Sequence, residues 1–171
     1  MSGLVFIEVL LMTIPGGLFA TFMTNKMSPT VSMKINLVVF IAVNFVSFLL
    51  LGSPSNKNLT WVFAAFWGFM LGWFYPTELN IFSSLMPKGQ EAELAGFYLY
   101  CTQILAWLPP LVFTLFNESP SIDLSWGGVQ LNIYIFIAAI FYQLMPSWDK
   151  CLEITDADNK ILKKEELSDT A

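Results

Sequence analysis

The chain contains no histidine and, since all eight of its basic residues are lysines, no arginine. The first absence removes the commonest general base and metal ligand. The second removes the planar fork that clamps phosphates in pairs of hydrogen bonds. A net charge of -5 adds an unfavourable field for any polyanion, so nucleic acid is not an expected partner. Charged residues of all kinds make up only 12% of the 171 residues, too few to coat a soluble domain of this size. The two cysteines, Cys101 in an apolar run and Cys151 in the polar end, suit neither a disulfide nor a metal site. With no serine in a nucleophile-elbow setting, no paired aspartates and no cluster of metal ligands, neither an enzyme nor a cofactor is expected.

Apolar residues are plentiful. They form 56% of the chain and bring the mean hydropathy to +0.62, which points to a bilayer as the solvent. A spanning helix needs about 20 mostly apolar residues, and five runs qualify, at 3–23, 33–52, 61–86, 94–116 and 127–145. The sequence therefore predicts an all-α polytopic membrane protein, with a helical domain over 1–147 and a polar tail over 148–171. Glu8 interrupts the first run, nothing basic precedes it and no small-residue cleavage site follows, so a span is expected there and not a signal peptide. Trp61, Trp126 and Trp148 stand at run ends, where an interfacial aromatic belt is expected.

Lysine placement sets the expected orientation. Lys26, Lys34, Lys88, Lys150, Lys160, Lys163 and Lys164 share one face of this topology, and Lys57 alone falls on the other. The positive-inside rule puts the first group, and with it the C-terminus, in the cytoplasm. The opposite loops carry the two glycosylation sequons, Asn58-Leu59-Thr60 and Asn117-Glu118-Ser119.

Ionisable groups inside spans are costly and mark function by default. Glu78 shares its helical face with Leu71, Phe74, Ile81, Phe82 and Leu85, so its carboxyl must find a partner or water from another helix. Two roles are open to it, carrying a proton coupled to transport or tying two helices together. Glu8 lies nearer the lumenal end of its span, where water and headgroups can reach a carboxylate, so a structural or snorkelling role stands beside a place on the substrate or proton path. In the fourth run Gly96, Tyr100, Gln103, Trp107, Pro110 and Thr114 project onto one narrow arc, either the wall of a polar path or a packed helix contact. Asn44 in the second run and Thr77 and Asn80 in the third add hydrogen-bonding groups to such a path. Pro109 and Pro110 are expected to bend the fourth helix. Gly16 with Ala20, and Gly17 with Thr21, are small pairs spaced by four that allow the first helix a close neighbour. In the tail, seven acids and four lysines predict a flexible segment with a helical turn or two near 160–166.

Three segments also carry a resemblance. Gly72-Trp73-Phe74-Tyr75-Pro76, the charged turn Pro87-Lys88-Gly89-Gln90-Glu91-Ala92-Glu93, and Gln103 through Pro110 are similar to the vacuolar effluxer (autophagy-related protein 22-like) family of the major facilitator superfamily. The resemblance aligns the five runs with helices eight to twelve of such a transporter, and implies a chain lacking the first half and helix seven. Lys88, Gly89, Glu91 and Glu93 then form a cytoplasmic loop motif. A weaker match covers Asn25-Lys26-Met27-Ser28, with Thr21 where the family motif has glycine and Asn25 where it has aspartate. What the family implies is secondary transport, the efflux of amino acids from a vacuole or similar compartment after autophagic breakdown. The alternative is a non-transporting membrane protein or half-transporter that acts by helix-helix association.

Overall fold

A computed structural model describes residues 2–51, 58–104, 106–118 and 126–169. Lys57 lies outside these residues, as do the side chains of Asn117 and Trp126. Among the described residues seven helices follow one another: α1 (Ser2–Lys26), α2 (Pro29–Leu51), α3 (Leu59–Ser84), α4 (Glu91–Ile104), α5 (Leu108–Glu118), α6 (Trp126–Gln143) and α7 (Trp148–Asp169). Among the described residues there is no strand.

The helix boundaries follow local chemistry. At the end of α1 the Lys26 ammonium sits over the Phe22 ring, 4.3 Å from its centroid, and a cation there also complements the helix dipole. Pro29 opens α2 at the position where a missing N–H costs nothing. The turn before α4 needs Gly89, whose φ of 92 disfavours any side chain. Its N–H donates to Glu91 Oε2 at 2.9 Å.

α1 and α3 make the closest pair, and they lie parallel. Gly16 meets the backbone of Phe69 and Gly72, Gly68 meets Val9, and Gly72 meets Thr13, so the two main chains touch with no side chain between them. Of the two small-residue pairs foreseen on α1, the structure uses Gly16 with Ala20, which is buried, while Thr21 faces outward. The matching set on α3 is Ala64, Gly68 and Gly72, all buried. α2 crosses α3 on another side. There Trp73 Nε1 donates to Ser32 Oγ at 2.9 Å and Asn36 Nδ2 donates to the Met70 carbonyl at 3.2 Å. Phe19 presents its ring edge-on to Trp73 at 4.8 Å, closing an apolar cluster of Ala20, Phe40, Met70 and Trp73. A second cluster, Met33, Leu37 and Ile81, takes in Ala139, Tyr142 and Trp148 and so brings α6 against α2. Apolar burial between helices gains little in lipid, so these close backbone contacts and interhelical hydrogen bonds hold the bundle.

The five expected spans are supported in part: among the described residues three stretches are long and apolar enough to cross a membrane, Gly3–Lys26, Pro29–Leu50 and Glu91–Leu115, or four if Val129–Gln143 and Trp148–Leu162, bent by 66°, count as one. α6 by itself has 18 residues, about 27 Å at 1.5 Å per residue against a hydrocarbon core of about 30 Å. α3 has the length, with 26 residues, but tryptophan, glycine, tyrosine and proline dilute its apolar content. The expected fourth helix is divided, because α4 ends at Ile104 and α5 begins at Leu108. Pro109 and Pro110 therefore sit in the first turn of α5, where proline is tolerated, and the chain does not carry them inside a continuous helix.

The polar end is also more ordered than expected, since α7 covers 22 residues. It is tied to the α3–α4 turn, with the Lys88 N–H donating to Asn159 Oδ1 at 2.7 Å and Thr155 Oγ1 to the Leu85 carbonyl at 3.4 Å. Removing the first acceptor by Asn159→Ala costs about 1 kcal/mol, which corresponds to about fivefold faster amide exchange. Hydrogen–deuterium exchange is expected to show that increase across the turn peptide containing Lys88; an unchanged rate would mean that α7 does not hold the turn.

Candidate functional site

The residues foreseen as a polar path separate into three groups. Thr77 and Asn44 are fully buried and bond within their own helices, Thr77 Oγ1 to the Trp73 carbonyl at 2.8 Å and Asn44 Nδ2 to the Phe40 carbonyl at 2.9 Å. Asn80 is half-buried and accepts from Ser84 Oγ at 3.2 Å. Asn44 belongs to a buried polar column on α2 with Ser32, Asn36 and Ser47. Ser32 and Asn36, which bind α3, are members that the sequence reading did not single out. Their spacing of four was the available signal, because a polar side chain recurring each turn in an apolar helix has to face protein.

Tyr100, Gln103 and Trp107 form the second group, and all three face outward. Tyr100 is 62% exposed and Trp107 58%, and α4 has no buried residue along its length. Thr114 in α5 donates to the Pro110 carbonyl at 2.9 Å. The arc drawn from the sequence thus lies on the outside of this chain and does not enclose a cavity within it. Gln130 of α6 was also missed. It is buried, and its Nε2 donates to the Pro109 carbonyl at 2.9 Å, pinning the start of α5.

Glu78 centres the third group. Tyr98 of α4 comes up beside its carboxyl, and the Tyr98 ring stacks on Phe82 with centroids 4.5 Å apart. A helix-to-helix partner for this carboxyl was required by the apolar face it occupies. Beside it opens a cavity of about 310 Å³, with Met33 of α2, Ile81, Phe82, Leu85 and Met86 at the end of α3, Leu94 of α4 and Tyr142 of α6 as walls. The Tyr142 hydroxyl is buried there without a hydrogen-bond partner. Glu8 stands apart from this group on α1, half-buried, with Oε2 enclosed and unpartnered.

Lys88, Gly89, Glu91 and Glu93 remain together at the turn, all exposed. Lys88 and Gly89 border a broad cleft of about 780 Å³, closed on the far side by Asp156, Asn159 and Lys160 of α7. Among the described residues no group of three His, Cys, Asp or Glu side chains could hold a metal ion.

No family model, curated protein or solved structure matches this chain.

Proposed function

We propose that the chain is part of a membrane secondary transporter and that α4 supplies one wall of the solute path, completed by a second helical body. The observation that carries this reading is the exposure of Tyr100 and Gln103 on α4, which has no buried residue, and of Trp107 in the turn between α4 and α5. An amide and two amphipathic aromatics facing hydrocarbon would be poorly solvated, whereas facing a polar path they offer donors, acceptors and flat walls. Amino acids are the proposed cargo, leaving a vacuole or similar compartment, and this rests on the family resemblance of the three quoted segments. The lysine distribution supports a cytoplasmic C-terminus.

Vesicles containing the full-length protein and loaded with labelled leucine are expected to release it faster than protein-free vesicles. Gln103→Leu should slow that release by about tenfold, the effect of losing a hydrogen bond to a charged group. Release no faster than from protein-free vesicles would leave the other reading, in which the same arc is a contact for helix-helix association without transport.

A further inference from the structure

We propose that the α3–α4 turn and α7 hold an anionic phospholipid, with its headgroup in the cleft beside Lys88 and one acyl chain in the groove beside Glu78. The groove, of about 310 Å³, is open, and Met33, Ile81, Phe82, Leu85, Met86 and Leu94 make its surface almost wholly apolar. Of the two polar side chains along it, Tyr142 has its hydroxyl enclosed by protein and Glu78 has Tyr98 beside it. Such a surface gives a polar solute no anchor, so hydrocarbon is what fits it. The cleft, of about 780 Å³, differs in kind, because Lys88, Gln90, Asp156, Asn159 and Lys160 line it. One segment of chain serves both, since Leu85 and Met86 wall the groove and Lys88 borders the cleft. Met86 and Lys88 are two residues apart, a span of at most about 7 Å. A ligand that occupies both places is an amphiphile with its charged head joined closely to its chain.

Charge selects the headgroup. The two ammoniums of Lys88 and Lys160 against the one carboxylate of Asp156 leave the lining net positive, which favours an anionic head over a neutral one. Glu91 and Glu93 follow the turn, but neither is among the side chains that line the cleft. The backbone does not supply the contact, because the Lys88 N–H is taken by Asn159 and the Gly89 N–H by Glu91. The lysine side chains remain. Both are exposed, and exposed ammoniums hold a freely dissolved anion weakly once salt screens them. A lipid escapes that limit, since its chains already concentrate its phosphate at the membrane surface, where each nearby lysine adds attraction. By the lysine distribution the turn belongs to the cytoplasmic leaflet, where anionic phospholipids lie. The inference goes beyond the transport reading because it concerns equilibrium binding of lipid, and it stands or falls whichever way leucine release comes out.

The test is native mass spectrometry of the full chain in detergent, titrated with dioleoyl phosphatidylserine, dioleoyl phosphatidylcholine and dioleoylglycerol, which share their acyl chains and differ in the head. Phosphatidylserine is expected to bind about tenfold more tightly than either of the others, the scale of attraction from two lysines near a lipid surface. Lys88→Gln combined with Lys160→Gln keeps every backbone contact of the turn and should remove that preference. Leu94→Trp, which keeps both lysines but fills the groove, should weaken phosphatidylserine and dioleoylglycerol alike, and Met86→Trp repeats the experiment from the opposite wall should Leu94→Trp fail to fold. Equal binding of the three lipids, or a phosphatidylserine preference that survives loss of both lysines, overturns the proposal. Binding undiminished by the groove-filling variants places the acyl chain elsewhere and overturns the two-part site.

Discussion

Replacing Gly72 with leucine is expected to leave α1 and α3 unable to pack, with the whole bundle lost. A Cβ built on Gly72 would stand 2.7 Å from both the Cα and the carbonyl carbon of Thr13. Those atoms belong to the backbone of α1, so no change of rotamer can make room and the helices must separate. Separation would strip the neighbouring contacts too, because Gly16 rests against Gly72 and Phe69, and Gly68 against Val9 and Met12. Overfilling a well-packed core costs about 1–3 kcal/mol where side chains can yield, and a backbone clash should exceed that range. Gly17→Ala is the contrast. Its added methyl meets the Gly72 carbonyl oxygen at 3.6 Å, an ordinary van der Waals distance, and should change stability by less than about 0.5 kcal/mol. Unfolding in a detergent titration followed by tryptophan fluorescence would check both. A Gly72→Leu protein with the wild-type midpoint would mean that the α1–α3 contact is not what holds the fold.

Gly72 also shows where sequence reading stopped. Small pairs on α1 were visible, but both Gly16 with Ala20 and Gly17 with Thr21 fit the rule, and the pair that buries was settled by the partner helix. On that partner Ala64, Gly68 and Gly72 recur every four residues, a signal obscured by the tryptophans and phenylalanines around them. The helical, apolar character of the chain was legible because lipid demands long runs with satisfied backbones. Helix breaks were less so, since hydropathy sees α4 and α5 as one run and cannot show that Pro109 and Pro110 lie in a first turn. α7 illustrates the opposite case. Its mixed charges suggested a flexible tail, yet Trp148 packs under Ile81 and Met33 and Asn159 reaches the α3–α4 turn, contacts between segments some 70 residues apart that no local pattern announces.

The polar groups divide in the same way. That Glu78 needs a partner followed from its apolar face, but the identity of that partner did not, because Tyr98 reaches it from the next helix. The arc expected for Tyr100, Gln103 and Trp107 assumed one continuous helix, whereas α4 ends at Ile104, before Trp107, and has no buried residue to set one face apart. Periodicity tells which residues share a face. Only packing tells what the face meets.

If the full-length protein couples solute movement to protons, Glu78→Gln should flatten the dependence of leucine release on pH. Glutamine keeps the length, the planar end and an oxygen that the Tyr98 hydroxyl can still reach, so the stacking of Tyr98 on Phe82 should survive. What it loses is the ability to gain and release a proton. Because a carboxyl at the junction of α2, α3, α4 and α6 interacts differently with its surroundings when charged and when neutral, its protonation can bias one arrangement of those helices over another. Tyr98→Phe serves as the companion variant, since it keeps the titrating carboxyl and removes its hydrogen-bond donor. Release by Glu78→Gln is expected to vary by less than about twofold across the range in which the wild type changes about tenfold, the contrast that a link of about 1.4 kcal/mol produces. Tyr98→Phe should retain a sloped profile. A Glu78→Gln profile that superimposes on the wild type, with Tyr98→Phe also unchanged, would reduce Glu78 to a tie between α3 and α4 and place any proton coupling elsewhere in the membrane.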